Sequence, residues 1–262
     1  MTALFRYEGD EVDIGARDLP GLKARFLVAH VPESGIVVDV GCGGGKMLRT
    51  LARERPGAEL HGCDLKAPAE QRPSFEFRLV DDSGRLPYDD ASVDTALVID
   101  VLEHVLHPDE FLREVARIVR PGGRLVGFVP TEGQRFSSYR LFRALLGDDL
   151  YVETKGHIQA FRRVDVRRLL NTAFEIEHQR YAYHLLGHLM DASFCALLRV
   201  PFVKRVFWNE SPYHNRTRQP SLAGRAFAGS LVAANRLAWV ESTALAKVEF
   251  ASAGILLSAR RR

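Results

Sequence analysis

From residue 36 onward the chain alternates short apolar runs with longer amphipathic ones. Ile36-Val37-Val38-Asp39-Val40 is β-branched and runs into glycines, the pattern of a buried parallel strand. Residues 46–54 set Met47, Leu48 and Leu51 at helical spacing, and 58–64, 75–80 and 93–99 read as three further strands. Over 109–119, Phe111, Leu112, Val115, Ile118 and Val119 share one stripe and predict a helix. Pro121-Gly122-Gly123 is expected to stop it, and 124–129 to return as a fifth strand. Strand–helix–strand units repeated in this way specify a mostly parallel sheet with helices on both faces.

Beyond Pro130 the rhythm loosens. Residues 136–146 predict a helix bearing Tyr139, Leu141, Phe142 and Leu145, followed by a polar loop with Tyr151, Lys155 and His157. Residues 164–173 predict an amphipathic helix and 174–181 a strand, while 248–259 alternate as a final strand. Between these, 184–246 is apolar, aromatic and basic without strand rhythm. The whole reads as one domain, with 30–183 and 247–262 as core and 184–246 as a helical cap or insertion.

Composition narrows the class without naming it. The 262 residues are 46% hydrophobic and 26% charged, so the chain is neither disordered nor fibrous. A chain of this length buries about 75% of the surface it exposes when unfolded and needs no disulfide or metal staple. A net charge of +3 gives no case for a nucleic-acid partner, and Arg260-Arg261-Arg262 reads as a solvated basic terminus. Cys42, Cys63 and Cys195 are odd in number and widely spaced, so neither disulfides nor a zinc cluster is expected. The acidic and basic residues of 6–13 do not suit a secretory signal, and no long uncharged apolar run occurs. The expected location is the cytoplasm.

Asp39-Val40-Gly41-Cys42-Gly43-Gly44-Gly45 lies between a strand and a helix, where glycines admit left-handed backbone and close approach of a ligand. A dinucleotide fingerprint would need glycine where Lys46 stands, and Gly45-Lys46-Met47 does not complete a P-loop. Asp39 would repel a pyrophosphate but suits a cationic ligand. This segment resembles the first motif of class I S-adenosylmethionine-dependent methyltransferases. The resemblance continues in order through His61-Gly62-Cys63-Asp64-Leu65, Asp81-Asp82-Ser83-Gly84-Arg85-Leu86-Pro87-Tyr88, Asp100-Val101-Leu102-Glu103-His104-Val105 and Arg120-Pro121-Gly122-Gly123. It covers roughly residues 30–130, with Asp64 falling 19 residues after Gly45.

The resemblance implies a Rossmann-like, doubly wound seven-stranded α/β sheet whose last strand is antiparallel. It implies S-adenosylmethionine as cofactor, held by Asp39, Gly41, Cys42, Gly43, Gly45, Asp64, Leu65, Asp82, Ser83 and Asp100. The Asp-Val-Leu-Glu-His-Val string is similar to the branch containing ubiquinone-biosynthesis and small-molecule O- and C-methyltransferases. The amine-methylating N-P-P-Y is replaced by Ile99-Asp100-Val101-Leu102. Asn171-Thr172-Ala173-Phe174 lacks the glycine usual before the sixth strand.

The implied activity is methyl transfer to oxygen or carbon of a small or lipid-like acceptor. A non-catalytic S-adenosylmethionine-binding scaffold is the alternative. An oxygen nucleophile needs a base, for which His157 is preferred and His104 second, each also readable as a hydrogen-bonded structural histidine. His184, His188 and Asp191 fall on one helical face, but without a further ligand no metal is expected. The aromatic and basic residues Phe194, Phe202, Lys204, Arg205, Phe207 and Trp208 leave three uses of 184–246 open: a lid, a homodimer surface, or peripheral membrane contact.

Overall fold

The computed structural model describes residues 11–68, 75–81, 83–147, 150–203 and 222–262. Helix α1 (Leu19–His30) begins at Asp18, whose side chain accepts from the Gly21 amide at 2.8 Å, with Pro20 in the first turn. Then follow β1 (Ser34–Val40), α2 (Lys46–Glu54), β2 (Gly57–Asp64), β3 (Glu76–Leu79) and β4 (Val93–Ile99). A 3-10 turn at Leu102–His104 leads to α3 (Pro108–Ile118) and β5 (Val119–Pro130). The remaining elements are α4 (Ser138–Leu146), α5 (Leu150–Lys155), α6 (Arg163–Leu170), β6 (Phe174–Ala182), α7 (Leu185–Leu197), α8 (Leu222–Ala244) and β7 (Gly254–Arg261).

Seven strands form one sheet in the order β3-β2-β1-β4-β5-β7-β6, with β7 antiparallel to both neighbours, as the resemblance implied. The central strands are buried on both faces because consecutive residues point to opposite sides. Val38, Val40 and Val98 meet Leu112, Val115 and Ile118 of α3, while Val37 and Leu97 meet Leu27 of α1 and Leu48 and Leu51 of α2. The order reverses between β1 and β4, and in such sheets ligands bind beyond the carboxyl ends of the strands at that point.

Four expectations are corrected. Helix α3 stops at Ile118, and β5 starts at once, so Pro121-Gly122-Gly123 lies inside the strand. There the register jumps from Val93↔Val119 to Thr95↔Arg124, a bulge that accommodates a proline without an N–H and Gly122 at φ +76°. Strand β7 begins at Gly254 instead of 248, since residues 248–253 turn through Ala251 at φ +57°. Its register carries Arg260 and Arg261 into the sheet, Arg261 bonding the Val119 carbonyl and Arg262 that of Asn171, so the triplet is anchored and not a free tail, although Arg260 and Arg262 are exposed to solvent. Tyr151 and Lys155 sit on α5 and not in a loop. The turn before β6 closes without glycine: Asn171, Thr172 and Ala173 bond back to Arg167, Leu169 and Leu170.

Helices α7 and α8 pack on each other, α8 also on α1, and α7 on α4 and α5 around Tyr139, Leu150, Tyr151, Ala192 and Cys195. Leu185, Leu186, Leu189 and Leu197 of α7 face outward. No helix among the described residues is long and apolar enough to cross a membrane. Lys204, Arg205, Phe207 and Trp208 lie outside the described residues.

Candidate functional site

The turn after β1 is built by its glycines. The amides of Gly41 and Cys42 both donate to the Cys63 carbonyl, at 2.8 and 3.1 Å, tying the loop to the end of β2. Gly41, Gly43 and Gly45 have φ of +78°, +52° and +73°. A Cβ on Gly41 would stand 2.7 Å from Val101 and one on Gly45 2.2 Å from the Phe75 ring, whereas one on Gly43 would meet nothing within 4 Å. Packing therefore requires glycine at 41 and 45, and Gly43 is the point where the backbone lies open to a ligand.

Around this loop stand the expected acids. Asp64, at the end of β2, accepts from the Gly43 amide at 2.8 Å, and Leu65 beside it is exposed. Asp39 is buried beneath the loop. Burial, and then the neighbouring Asp64 carboxylate, push it up to about 7. The same burial pushes the Cys63 thiol up to about 12 and holds Cys42 above the ordinary thiol range, so neither is a ready nucleophile. Ser83 lies in a turn held by Asp81, which accepts from the Ser83 amide at 2.9 Å. Asp82, its expected companion, lies outside the described residues.

Asp100 follows β4 in left-handed conformation, φ +51°, its amide bonded to the Phe128 carbonyl at 3.1 Å. Its carboxylate receives Lys23 of α1 at 2.7 and 3.0 Å. The Lys23 ammonium also lies 3.7 Å from the centroid of the Phe128 ring. Burial opposes the charge on Lys23, but Asp100 outweighs it and raises the ammonium above its ordinary range. No element was expected before residue 36, so Lys23 was missed. The Asp18-Leu19-Pro20 start signal could have found its helix.

His104 and His157, far apart in sequence, are brought together. Ile158 and Gln159 donate their amides to the Glu103 carbonyl at 2.9 and 3.0 Å, clamping the segment after α5 onto the 3-10 turn. The two imidazole centroids are 5.0 Å apart, with the rings crossing at 83°. His104 Nδ1 bonds the Gly156 carbonyl at 3.0 Å, and His157 Nδ1 bonds Glu132 Oε2 at 3.0 Å. Glu132 is buried just past β5. Burial opposes its charge, but His157 holds it below the usual carboxylate range. Glu103 is also buried, and burial followed by the Asp100 charge pushes it well above that range. Burial, with His157 next, lowers His104. The sequence reading missed Glu132 and the buried state of Glu103, because only the fold places 132 beside 157.

His184 and Asp191 take separate partners, and the buried Nε2 of His188 has no hydrogen bond among the described residues. His184 Nε2 bonds the Val248 carbonyl at 2.9 Å, and the His188 ring lies parallel to Tyr151 at 6.5 Å. Asp191 is engaged by Lys155 and by the Tyr151 hydroxyl at 3.1 Å.

With the loop and its acids in place, the family model described as a methyltransferase domain matches residues 38–127. The match spans about a third of the chain. Methyltransferase GfsG of Streptomyces halstedii is 37% identical over 102 residues, 34% of this chain and 35% of the relative. A ubiquinone biosynthesis O-methyltransferase of Cupriavidus pinatubonensis is 31% identical over 112 residues, 39% of this chain and 43% of the relative. The chain thus spans well under two thirds of the curated relatives it matches. Among solved structures, the [4+2]-cyclase SpnF superposes with a TM-score of 0.57 at 19% identity, covering 99% of this chain and 87% of that one. Geranyl diphosphate C-methyltransferase of Streptomyces coelicolor gives 0.55 at 16% identity, covering 93% and 79%. At such identities the likeness establishes the class I methyltransferase fold, and a fold hosts more than one chemistry.

Proposed function

We propose that the protein transfers the methyl group of S-adenosylmethionine to an oxygen or carbon of a small or lipid-like acceptor. The observation that carries this reading is the open Gly43 backbone flanked by Asp64 and underlain by the buried Asp39. Asp39 is held near neutrality by burial, so a cationic ligand beside it recovers free energy that water cannot supply. A pyrophosphate would be repelled there, which disfavours a nicotinamide cofactor. S-adenosylmethionine supplies, when bound, a methyl group already activated on a sulfonium.

This chain's residues then have three tasks. Gly41 and Gly45 set the loop, and Gly43, Cys42 and Leu65 line the ligand's path. Asp64 takes the ribose hydroxyls, with Asp82 and Ser83 toward the adenine. Orientation of the acceptor against the methyl is the main contribution of such a site, on the order of 7–11 kcal/mol of barrier. Removal of an acceptor proton falls to the cluster of Glu103, His104, His157 and Glu132, with His157 the preferred base. The outward leucines of α7 support an apolar or lipid-like acceptor and peripheral membrane contact of the 184–246 region. We place the protein in the cytoplasm.

Calorimetric titration with S-adenosylmethionine, S-adenosylhomocysteine and NAD tests the reading. Micromolar binding of both adenosyl ligands and none of NAD is expected. Folded protein that binds neither adenosyl ligand would refute it.

A further inference from the structure

We propose that Glu103, His104 and His157 bind a divalent first-row cation at the carboxyl ends of β4 and β5. The cation site stands on its own geometry; its use on an acceptor rests on the methyl-transfer reading. Glu103 is the starting point. Its side chain is 1% exposed, and neither carboxylate oxygen has a hydrogen-bond partner among the described residues. A buried polar group left in that state costs free energy unless something else satisfies it. The position is not accidental, because the Glu103 carbonyl is fixed by the amides of Ile158 and Gln159.

The histidines complete the donor set. Each Nδ1 is turned to an oxygen, the Gly156 carbonyl for His104 and the Glu132 carboxylate for His157, both at 3.0 Å. With each Nδ1 turned to an oxygen, Nε2 is the ring atom left to meet a cation. Both Nε2 atoms lie 3.9 Å from Glu103 Oε1, and one ligand atom from each of the three residues lies within 4.8 Å of the others. That is too far for hydrogen bonds. Donors around an ion with bonds of about 2.0–2.2 Å stand roughly 3–3.5 Å apart, so each 3.9 Å Glu103–histidine separation must shorten by about 0.4–0.9 Å for the site to close. Two imidazoles and one carboxylate suit Mn²⁺, Fe²⁺ or Zn²⁺ over Mg²⁺ or Ca²⁺, which prefer oxygen. Glu132 takes the outer place that orients a ligating histidine. Three protein donors leave coordination positions free for an acceptor oxygen, which the ion would polarise in place of direct proton transfer to His157.

Glu59, His61 and Glu76 form another group of suitable spacing, but both carboxylates are exposed and Glu76 is bonded to Arg78 at 2.8 Å. That group serves as the control. The full chain, stripped with EDTA, is titrated with Mn²⁺ and the free ion read by electron paramagnetic resonance. Expected are one ion per chain, binding at least tenfold weaker in Glu103→Gln and in His104→Asn, and unchanged binding in Glu76→Gln. Absence of Mn²⁺ binding, equal binding by Glu103→Gln and the parent, or loss of binding only in Glu76→Gln would each overturn the proposal. Titration of the same samples with S-adenosylhomocysteine establishes that the variants are folded. A parent protein that takes Mn²⁺ but no S-adenosylhomocysteine would leave the cation site standing and remove the methyl-transfer reading.

Discussion

Replacing Asp39 by asparagine separates folding from ligand binding, because the two respond with opposite sign. Burial and the Asp64 charge raise the folded-state pKa of Asp39 from 3.8 to about 7. Each unit is worth 1.36 kcal/mol, so ionising Asp39 in the folded protein costs about 4 kcal/mol above pH 7. Between about pH 4 and 7 the native state holds a proton that the unfolded state has released. Stability tied to this group is therefore fully present below pH 4 and falls as pH rises to 7. Asparagine keeps the shape and never ionises. Urea denaturation followed by circular dichroism, at half-unit steps from pH 4 to 9, should show the parent losing about 4 kcal/mol relative to Asp39→Asn, with the difference levelling above pH 7. At pH 8 the variant should thus be the more stable protein, yet bind S-adenosylmethionine at least tenfold more weakly by calorimetry. A difference that is flat with pH, or a variant less stable at pH 8, would refute the account of Asp39 as a carboxylate waiting for a cation.

Asp64→Ala should weaken S-adenosylmethionine at least tenfold, about 1.4 kcal/mol, and unchanged affinity in folded protein would remove the ribose assignment. Gly45→Ala, with φ +73° and a Cβ 2.2 Å from the Phe75 ring, should lose stability by about 1–3 kcal/mol in urea. Gly43→Ala has open space around its Cβ and should lose less stability than Gly45→Ala while losing cofactor affinity; the reverse order would mean the loop is misread. Lys23→Met strips Asp100 of a two-fold charged hydrogen bond and should cost about 1–3 kcal/mol in the same assay. No change would make α1 independent of the site.

The cofactor half of the site was legible because it is local. Asp39 and the glycine loop are contiguous, and Asp64 and Asp100 end the neighbouring strands, so strand order alone brings them to one edge. The periodicity that marked those strands comes from burial on both faces, a constraint strong enough to write itself into every residue. Strand ends were less legible, as β7 shows: Arg260 and Arg261 carry charges that argue against a strand, but the register beside β5 gives Arg261 the Val119 carbonyl. Pro20 and Gly21 likewise look like breakers, yet Asp18 caps a helix over them.

The other half is assembled from three separated segments. Glu103 leaves β4, Glu132 leaves β5, and His157 follows α5, so no short window of sequence contains two of the three residues. His104 and His157 were selected because both were expected at strand ends, and they do meet, but the choice between base and ligand depends on the oxygen to which each Nδ1 is turned. Those oxygens belong to Gly156 and Glu132, one a backbone carbonyl and the other a glutamate with no motif around it. The helical-face argument for His184, His188 and Asp191 had the right donor chemistry, but Val248 claims His184 and Lys155 claims Asp191, which leaves the buried His188 Nε2 by itself among the described residues. Donor type and spacing therefore identify a site only after each candidate's competing hydrogen bonds are known. By that criterion the buried, unpartnered carboxylate of Glu103 is a stronger indicator than either histidine.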